Sequence, residues 1–528
     1  MNYFIITLLI INVYLFLKNQ KALHMLQQNW YNDSNRYIKW IYNNYKVAFL
    51  AHDVYFPLLV ATRFFDYVLV SIMVIIFYIT ISYKTLKERK TEQVKKAIVY
   101  TPRIKRLMIT TEILYLIPVV TMLFNFNTDN LFKYYFIVMI MVYLNYIIVL
   151  LANYINKPVE KLVYLYYKNK AITKLNNLSN LSVIGITGSY GKTSSKNILN
   201  DILNVKYNAF ATPKSFNTPY GLIIAINNHL DKFNDFFIAE MGAFYKGEIK
   251  GMCNLVKPKY GILTNIGKAH LETFGSQENI QTGKFELIES LPSDGLGILN
   301  GDDPLQLSYK LNNDCQIMWI GIDNHDVDIY AKDIKLSDRG TTFKVVFNGT
   351  GDEYIFETKL LGKANVYNIL AGIALGHYLN MSINQLQLGV SKINTIEHRL
   401  ELKKYGTINI IDDAYNSNPT GAKMALDVLK LMPGTKIVVT PGMIELGDDQ
   451  DILNLEFGKQ MASVANYVIL VGKTQTKPIY EGLKLSDFEE SHIFVINDVK
   501  EAFKIMRTLN NGETYVLIEN DLPDLFNE

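Results

Sequence analysis

Between Val183 and Ser195 the chain reads Val-Ile-Gly-Ile-Thr-Gly-Ser-Tyr-Gly-Lys-Thr-Ser-Ser, a spacing of glycines, hydroxyls and one lysine that suits phosphate. Thr187, Gly188, Ser189 and Gly191 make a loop that can turn tightly and let its backbone approach a ligand, because two of these residues have no Cβ. Lys192 supplies a point charge for β- and γ-phosphates; Thr193 and Ser194 follow, and the Thr193 hydroxyl can ligate Mg²⁺. Free N–H groups and the dipole of a helix starting here favour an anion. The general phosphate-loop pattern places glycine five residues before Gly191, where Ile186 stands, so the match is to the shorter Thr-Gly-x-x-Gly-Lys-Thr-Ser form. The chemistry implied is binding of a nucleoside triphosphate.

The elements that must position this loop are legible around it. Leu181 to Ile186 is an apolar, β-branched run that predicts a buried strand, and Ile198, Leu199, Ile202 and Leu203 fall on one face of a helix from Thr193. Phe236–Glu240 predicts a strand ending on a carboxylate. Tyr260–Asn265 predicts another, leading into Ile266-Gly-Lys-Ala-His270, and a helix over about Gln277–Leu291 carries Lys284. Short strands alternating with helices predict a mostly parallel α/β sheet, and in such sheets ligands bind beyond the carboxyl ends of the strands. Glu240, His270 and Thr193 should then meet near the phosphates, with oxygen and imidazole ligands suited to one or two Mg²⁺ ions. Taken singly, Glu240 as a helix cap, His270 as a core residue and Lys284 on a solvated face are the plain alternatives.

A second, smaller doubly wound unit begins near Glu397-His-Arg-Leu-Glu401. Its strands are expected at Thr407–Ile411, before Asp412-Asp-Ala-Tyr-Asn-Ser-Asn-Pro419, and at Thr435–Thr440, before Pro441-Gly-Met-Ile-Glu-Leu-Gly447. Others follow at Tyr467–Val471, Ile493–Val495 and Tyr515–Ile518.

The first 155 residues are of another kind. There are four apolar runs, Tyr3–Leu17, Val68–Tyr83, Leu107–Phe126 and Tyr134–Ile155; the first is short, and the last three approach the roughly 20 helical residues that span a bilayer. The first has no basic residue before it and no small-residue cleavage site, so an uncleaved anchor is expected. Lys84–Arg106 is strongly basic and is placed on the cytosolic side, as is the lysine-rich stretch after the fourth run, which puts the phosphate loop in the cytosol. Lys18 and Lys21 also draw the end of the first run inside; Val47–Thr62 is a candidate fifth crossing that would balance the count. Asp66 and Glu112 are ionisable groups in or beside these runs. Trp30, Tyr31, Tyr37, Trp40, Tyr42 and Tyr45 suit an interfacial aromatic belt.

Over 528 residues, 49% are hydrophobic, and the apolar share is concentrated in that first third. A formal charge of +3 leaves no nucleic-acid footprint, and two cysteines, Cys253 and Cys315, are too few for a disulfide framework or a cysteine metal site.

In order along the chain, Thr187-Gly-Ser-Tyr-Gly-Lys-Thr193, Glu240-Met-Gly242, Thr264-Asn-Ile-Gly-Lys-Ala-His270, Gly362-Lys-Ala-Asn-Val-Tyr-Asn368, His398-Arg399 and Asp412–Pro419 resemble the Mur ligase family. These are ATP-dependent amide-forming enzymes of peptidoglycan precursor synthesis, and the closest likeness is to the branch that adds D-alanyl-D-alanine. The resemblance implies that Lys192 and Thr193 hold the β/γ-phosphates and Mg²⁺, that Glu240 binds Mg²⁺ and that His270 ligates a second ion. It implies a carbamylated Lys284 whose carboxylate helps hold that ion. Asn365 and Asn368 would lie near the adenine, and Arg399 and Asp413 would close over the nucleotide from the next domain. The chain departs from the family in three places. Ala364 stands where a histidine is usual, Pro441–Gly447 replaces a Gly-Asp-Met version, and membrane helices stand where the family has its UDP-sugar domain.

The organisation expected is a transmembrane region over 1–155, a cytosolic linker over 156–180, a central ATP-binding domain over 181–398 and a C-terminal domain over 399–528. The protein would be a multi-pass ligase of the bacterial cytoplasmic membrane. It would join an acid, lipid-linked or carried on a UDP-muramoyl peptide, to an amino acid or dipeptide through an acyl phosphate. A poly-γ-glutamate-synthetase-like polymerase, a transporter driven by a phosphate-loop ATPase and a binding-only scaffold are the rival readings.

Overall fold

The computed structural model describes residues 2–31, 36–53, 67–91, 97–125, 127–268, 270–337, 340–415, 417–444, 446–510 and 512–520. Two compact units divide at Tyr166/Tyr167.

The first unit is helical. Its long helices are Asn2–Gln28, Tyr67–Thr91 and Pro102–Phe124, followed by Leu131–Tyr143 and Asn145–Asn176, which meet at a 73° bend. Three of them are long and apolar enough to cross a membrane, or four crossings if the bent pair counts as one. The last helix continues unbroken to Asn176, so most of the expected 156–180 linker is helix rather than a separate connector. Asn2–Gln28 and Tyr67–Thr91 pack with their residue numbers rising together. Ser71 shares its hydroxyl with Tyr135, which also reaches Thr7, Tyr14 packs on Tyr78, and Arg89 donates to the Leu17 carbonyl. The basic end of the second helix therefore lies beside Lys18 and Lys21, so these lysines and the Lys84–Arg89 cations share one end of the bundle.

Several polar side chains inside this unit pair with one another, which offsets the cost of burying them. Lys18 donates to Asp53 and, at 2.9 Å, to the Val142 carbonyl just before the bend. Glu112 accepts from Asn19 at 3.3 Å, midway along its helix. Asp66 and most of Val47–Thr62 lie outside the described residues. The aromatic belt is only partly present. Tyr37 is fully buried and stacks on Trp40, which stacks in turn on Tyr146, whereas Trp30, Tyr42 and Tyr45 are exposed. Core packing claims the first pair because their rings meet neighbours from a distant helix.

The second unit holds two sheets. The larger runs β2-β3-β1-β4-β5-β6-β7-β8-β9, with β1 Ser182–Thr187, β2 Ala209–Ala211, β3 Phe236–Glu240, β4 Tyr260–Leu263, β5 Leu296–Asn300, β6 Gln316–Gly321, β7 Ile329–Ser337, β8 Gly340–Phe347 and β9 Asp352–Thr358. Pairing is parallel from β2 to β7, and β7-β8-β9 form an antiparallel meander that strand-helix alternation does not foretell. β1 sits between β3 and β4, so the ends of these three strands share one edge. The smaller sheet runs β10-β11-β15-β12-β13-β14, from β10 Glu401–Tyr405 and β11 Ile408–Asp413 through β12 Thr435–Thr440, β13 Tyr467–Val471 and β14 Ile493–Ile496, with β15 Thr514–Glu519 inserted beside β11. All its pairs are parallel except β10–β11. The helix expected over Gln277–Leu291 ends at Phe285 and a separate turn covers Ile288–Ser290.

On the smaller sheet the Gln450–Ala462 and Lys477–Leu485 helices touch backbone to backbone at Gly458 and Gly482. A Cβ on Gly482 would lie 2.0 Å from the Leu455 carbonyl oxygen. Gly482→Ala is therefore expected to destabilise this domain by about 1–3 kcal/mol, the usual cost of overpacking, read as a lowered thermal midpoint.

Candidate active site

β1 ends at Thr187, whose hydroxyl donates to the Met241 carbonyl at 2.8 Å. The Thr187 side chain thus ties β1 to the end of β3 rather than facing the loop. Gly188, at φ +153°, would bring a Cβ to 2.0 Å from the Thr264 hydroxyl, and Gly191, at φ +78°, would bring one to 3.3 Å from Asn368 Oδ1. Only glycine fits both the dihedral and the space at these two positions. The loop leans on the segment after β4. Ser189 N and Tyr190 N donate to the carbonyl and side chain of Asn265, and the Ser189 hydroxyl exchanges bonds with Gly267.

The Lys192–Leu203 helix starts directly from this loop, with Gly191 as its left-handed cap and Ser194 buried in its first turn. Lys192 Nζ donates to the Gly188 carbonyl at 2.7 Å and the Ser189 carbonyl at 3.1 Å, which holds the amine at the centre of the loop. Burial lowers its pKa to about 8, assisted by Arg399 and opposed by Glu240.

Thr193 and Glu240 come together as the spacing predicts: the hydroxyl donates to Oε1 at 3.0 Å. Two further partners of Glu240 were not foreseen. Asn217 Nδ2 reaches Oε1 at 3.2 Å, and Lys196 Nζ lies 3.0 Å from Oε2 with both side chains buried. Lys196 lies one helical turn beyond Lys192, and that i+4 spacing from the loop lysine was its only signal in the sequence.

His270 has φ +60°, caps the Leu271–Phe274 helix and meets the Phe244 ring at 4.4 Å. Lys284 is buried, its amine 5.4 Å from the centre of the Phe274 ring. Burial, aided by the nearby Lys192 charge and opposed by Glu248 and Glu286, lowers its pKa to about 7. Among the described residues no three His, Cys, Asp or Glu side chains form a metal-binding group.

Asn365 and Asn368 are both buried at the start of the Lys363–Tyr378 helix; Asn365 donates to the Leu361 carbonyl at 2.8 Å, and Asn368 faces Gly191. Arg399 stands between two residues in the left-handed region, His398 at φ +59° and Leu400 at φ +48°. Such backbone costs on the order of 1–3 kcal/mol per residue. Leu400 N donating to Asp413 Oδ1 at 3.1 Å, and His398 Nδ1 bonded to Asp412 at 2.8 Å, hold it in place. The Arg399 guanidinium lies 4.3 Å over the Tyr415 ring, whose hydroxyl bonds Ser215 of the first sheet's domain. Burial raises the pKa of Asp413 to about 6, against the pull of Arg399; burial also raises that of its register partner Glu519 well above the usual carboxylate range, with Ser417 donating to Glu519 at 2.7 Å.

Glycine loop, lysine, hydroxyl and carboxylate, with an arginine approaching from a second α/β domain, are together suited to neutralising a phosphoryl group in transit. Comparison with known proteins bears on the family. Residues 186–376 match the Mur ligase middle domain and residues 398–518 the Mur ligase glutamate ligase domain. The chain is 35% identical over 280 residues to the UDP-N-acetylmuramoyl-tripeptide–D-alanyl-D-alanine ligase of Bacillus subtilis, covering 52% of this chain and 59% of that protein. It is 29% identical over 294 residues to the enzyme of the same name from Escherichia coli, covering 55% and 64%. The chain thus spans about 60% of the length of these relatives. Among solved structures, the MurF ligase of Thermotoga maritima in complex with ADP superposes with a TM-score of 0.61 at 25% identity, over 68% of this chain and 80% of that one. A MurF structure from Acinetobacter baumannii, 24% identical with a TM-score of 0.60, shows the same fold. With both of these domains present in order over its second unit, the chain belongs to the Mur ligase family.

Proposed function

We propose that this protein is an ATP-dependent carboxylate–amine ligase of peptidoglycan precursor synthesis, held at the cytosolic face of the membrane by its first unit. Residues 181–398 would bind ATP and residues 399–528 would close over it. The observation that carries this reading is the convergence of Lys192, Thr193 and Glu240 at the ends of β1 and β3, within the field of Arg399.

The reaction this site suits has two steps. A carboxylate oxygen attacks the γ-phosphorus of ATP, the bond to ADP breaks, and an acyl phosphate forms. An amine then attacks the acyl carbon and phosphate leaves, carrying one of the two protons the ammonium loses. Lys192 and Arg399 would bear the charge on the transferring group, while Asn365 and Asn368 would border the base. The paired second domain would exclude the water that otherwise hydrolyses the acyl phosphate. The hydroxyl of Thr193 and the carboxylate of Glu240, already 3.0 Å apart, fit one Mg²⁺, an ion that needs few protein oxygens beside phosphate and water. When bound, it would neutralise charge across the β- and γ-phosphates. A second ion at His270 would take an anionic ligand from Lys284 if that lysine were a carbamate.

That modification fits the chemistry of Lys284. Only a neutral amine attacks CO₂, losing a proton and leaving an anionic carbamate, and burial has made this amine half neutral near pH 7. Its folded pKa lies below its unfolded one, so the neutral form gains population as pH rises through about 7. Because forming the carbamate from the ammonium releases two protons, ligation is expected to fall about tenfold or more per pH unit below 7 and to weaken in bicarbonate-free buffer, with a ¹³C carbamate signal from ¹³CO₂ that Lys284→Arg removes.

The deciding experiment uses the full chain in nanodiscs with ATP, D-alanyl-D-alanine or single amino acids, and either UDP-linked or lipid-linked muramoyl peptides. ADP release matched by an amide product mass supports the reading. ATP turnover that tracks a transported solute, with no amide formed, would sink it. Preference for the lipid-linked acid would assign the helical unit a role in substrate presentation; preference for the UDP-linked acid would leave it an anchor.

A further inference from the structure

Two adjacent carboxylates at the end of β5 bond in different directions. Asp303 caps the Pro304–Leu307 helix through Oδ1, accepting from Leu305 N at 3.0 Å, while Oδ2 accepts from Ile266 N at 2.8 Å and Gln306 Nε2 at 3.1 Å. Ile266 belongs to the 264–268 segment that supports Ser189 and Tyr190 of the phosphate loop. Asp303 therefore fixes the loop side of the site.

Asp302 serves the other side. Its Oδ1 accepts from Asn324 N at 2.5 Å, and its Oδ2 accepts from Ile322 N at 2.6 Å, Asp323 N at 3.1 Å and the Tyr367 hydroxyl at 2.8 Å. Tyr367 lies on the same helix as Asn365 and Asn368, and Lys363 at the start of that helix reaches Asp323 at 3.3 Å. Burial, with Asp302 alongside, raises the Tyr367 pKa far above its ordinary value, so the phenol keeps its proton and donates. Four donors on one carboxylate, three of them backbone, make a rigid node that neither a neutral amide nor a water reproduces.

We infer that Asp302 and Asp303 are paired positioning residues of the nucleotide site. Asp302 holds the helix that borders the base, Asp303 holds the segment that supports the phosphate loop, and the two-residue turn sets the span between them. This rests on the reading of the site as an ATP site but not on amide formation. The two aspartates act through different neighbours, so their removal is expected to separate base recognition from phosphoryl transfer.

The test measures nucleotide binding by calorimetry and steady-state turnover on the full chain, with ATP and GTP. Asp302→Asn is expected to weaken ATP binding about 10- to 100-fold, the scale of losing bonds to a charged acceptor, to raise KM for ATP with kcat within threefold, and to narrow the ATP-over-GTP preference. Tyr367→Phe, which leaves the carboxylate and its backbone partners intact, should reproduce part of that KM effect at an unchanged thermal midpoint. Asp303→Asn should lower kcat about tenfold or more with KM for ATP within threefold. Equal effects of the two asparagine variants on KM and kcat, or an unchanged ATP-over-GTP preference in Asp302→Asn and Tyr367→Phe, would overturn the inference. A wild-type chain that binds ATP but forms no amide refutes ligation alone and leaves the binding arm of this test intact.

Discussion

Lys192→Ala is expected to lower carboxylate-dependent ADP release by at least about 1,000-fold, with a much smaller loss of ATP binding. The lysine amine is held at the centre of the phosphate loop by two carbonyls of that loop. It carries no hydrogen-bond network whose loss would unfold the domain, so the effect should appear in rate rather than stability. Electrostatic donors aimed at developing charge are typically worth about 100- to 1,000-fold each in kcat. Lys192 is in addition partly buried, within the fields of Arg399 and Glu240. The measurement is single-turnover ADP formation at saturating ATP. Wild-type rates in this variant would remove the phosphate loop from the mechanism, and with it the proposed function.

Removing either partner of the Lys196–Glu240 pair should give the largest loss of stability. Both side chains are 1% exposed and 3.0 Å apart, on the first helix after the loop and the last residue of β3. Breaking a buried pair leaves one charge without a partner, at a cost of about 3–5 kcal/mol. In a domain of this size that corresponds to a fall of about 10 °C in thermal midpoint. Lys196→Met and Glu240→Gln should each show it, and the double variant should recover much of the loss because no lone charge remains. Glu240 has the further task of meeting Thr193, so Glu240→Gln should also lose ligation, while Lys196→Met should retain Mg²⁺-dependent ATP binding. If the two single variants and the double variant lost stability additively, the pair would not be coupled.

Much of the site was written in local spacing. A β-branched run, two glycines and a lysine at the start of an amphipathic helix define a strand, a turn and a helix terminus without reference to distant residues. That is why the loop of 187–193 is where the pattern puts it, and why Glu240 is met by Thr193 once β3 lies beside β1. Most strands of the smaller sheet were legible for the same reason: Thr435–Thr440 is where the pattern puts it and Thr407–Ile411 falls on β11, which runs on to Asp413, whereas β10 was not foreseen.

What spacing could not give was partner choice across the chain. Lys196 looks like any helix lysine until the strand order β3-β1-β4 brings Glu240 alongside, and the Asp302–Asp303 turn looks like an ordinary loop until β6 and the Lys363–Tyr378 helix pack around it. The 73° bend at Leu144, the burial of Tyr37 and the antiparallel β7-β8-β9 meander are of the same kind. The sequence by itself determined which residues could bind phosphate and which stretches were apolar enough for a bilayer, because those properties reside in single side chains and short periods. Tertiary structure alone decided which charge neutralises which and how far the base side stands from the phosphate side, because burial makes an unpaired charge costly and only the assembled sheet order selects its partner.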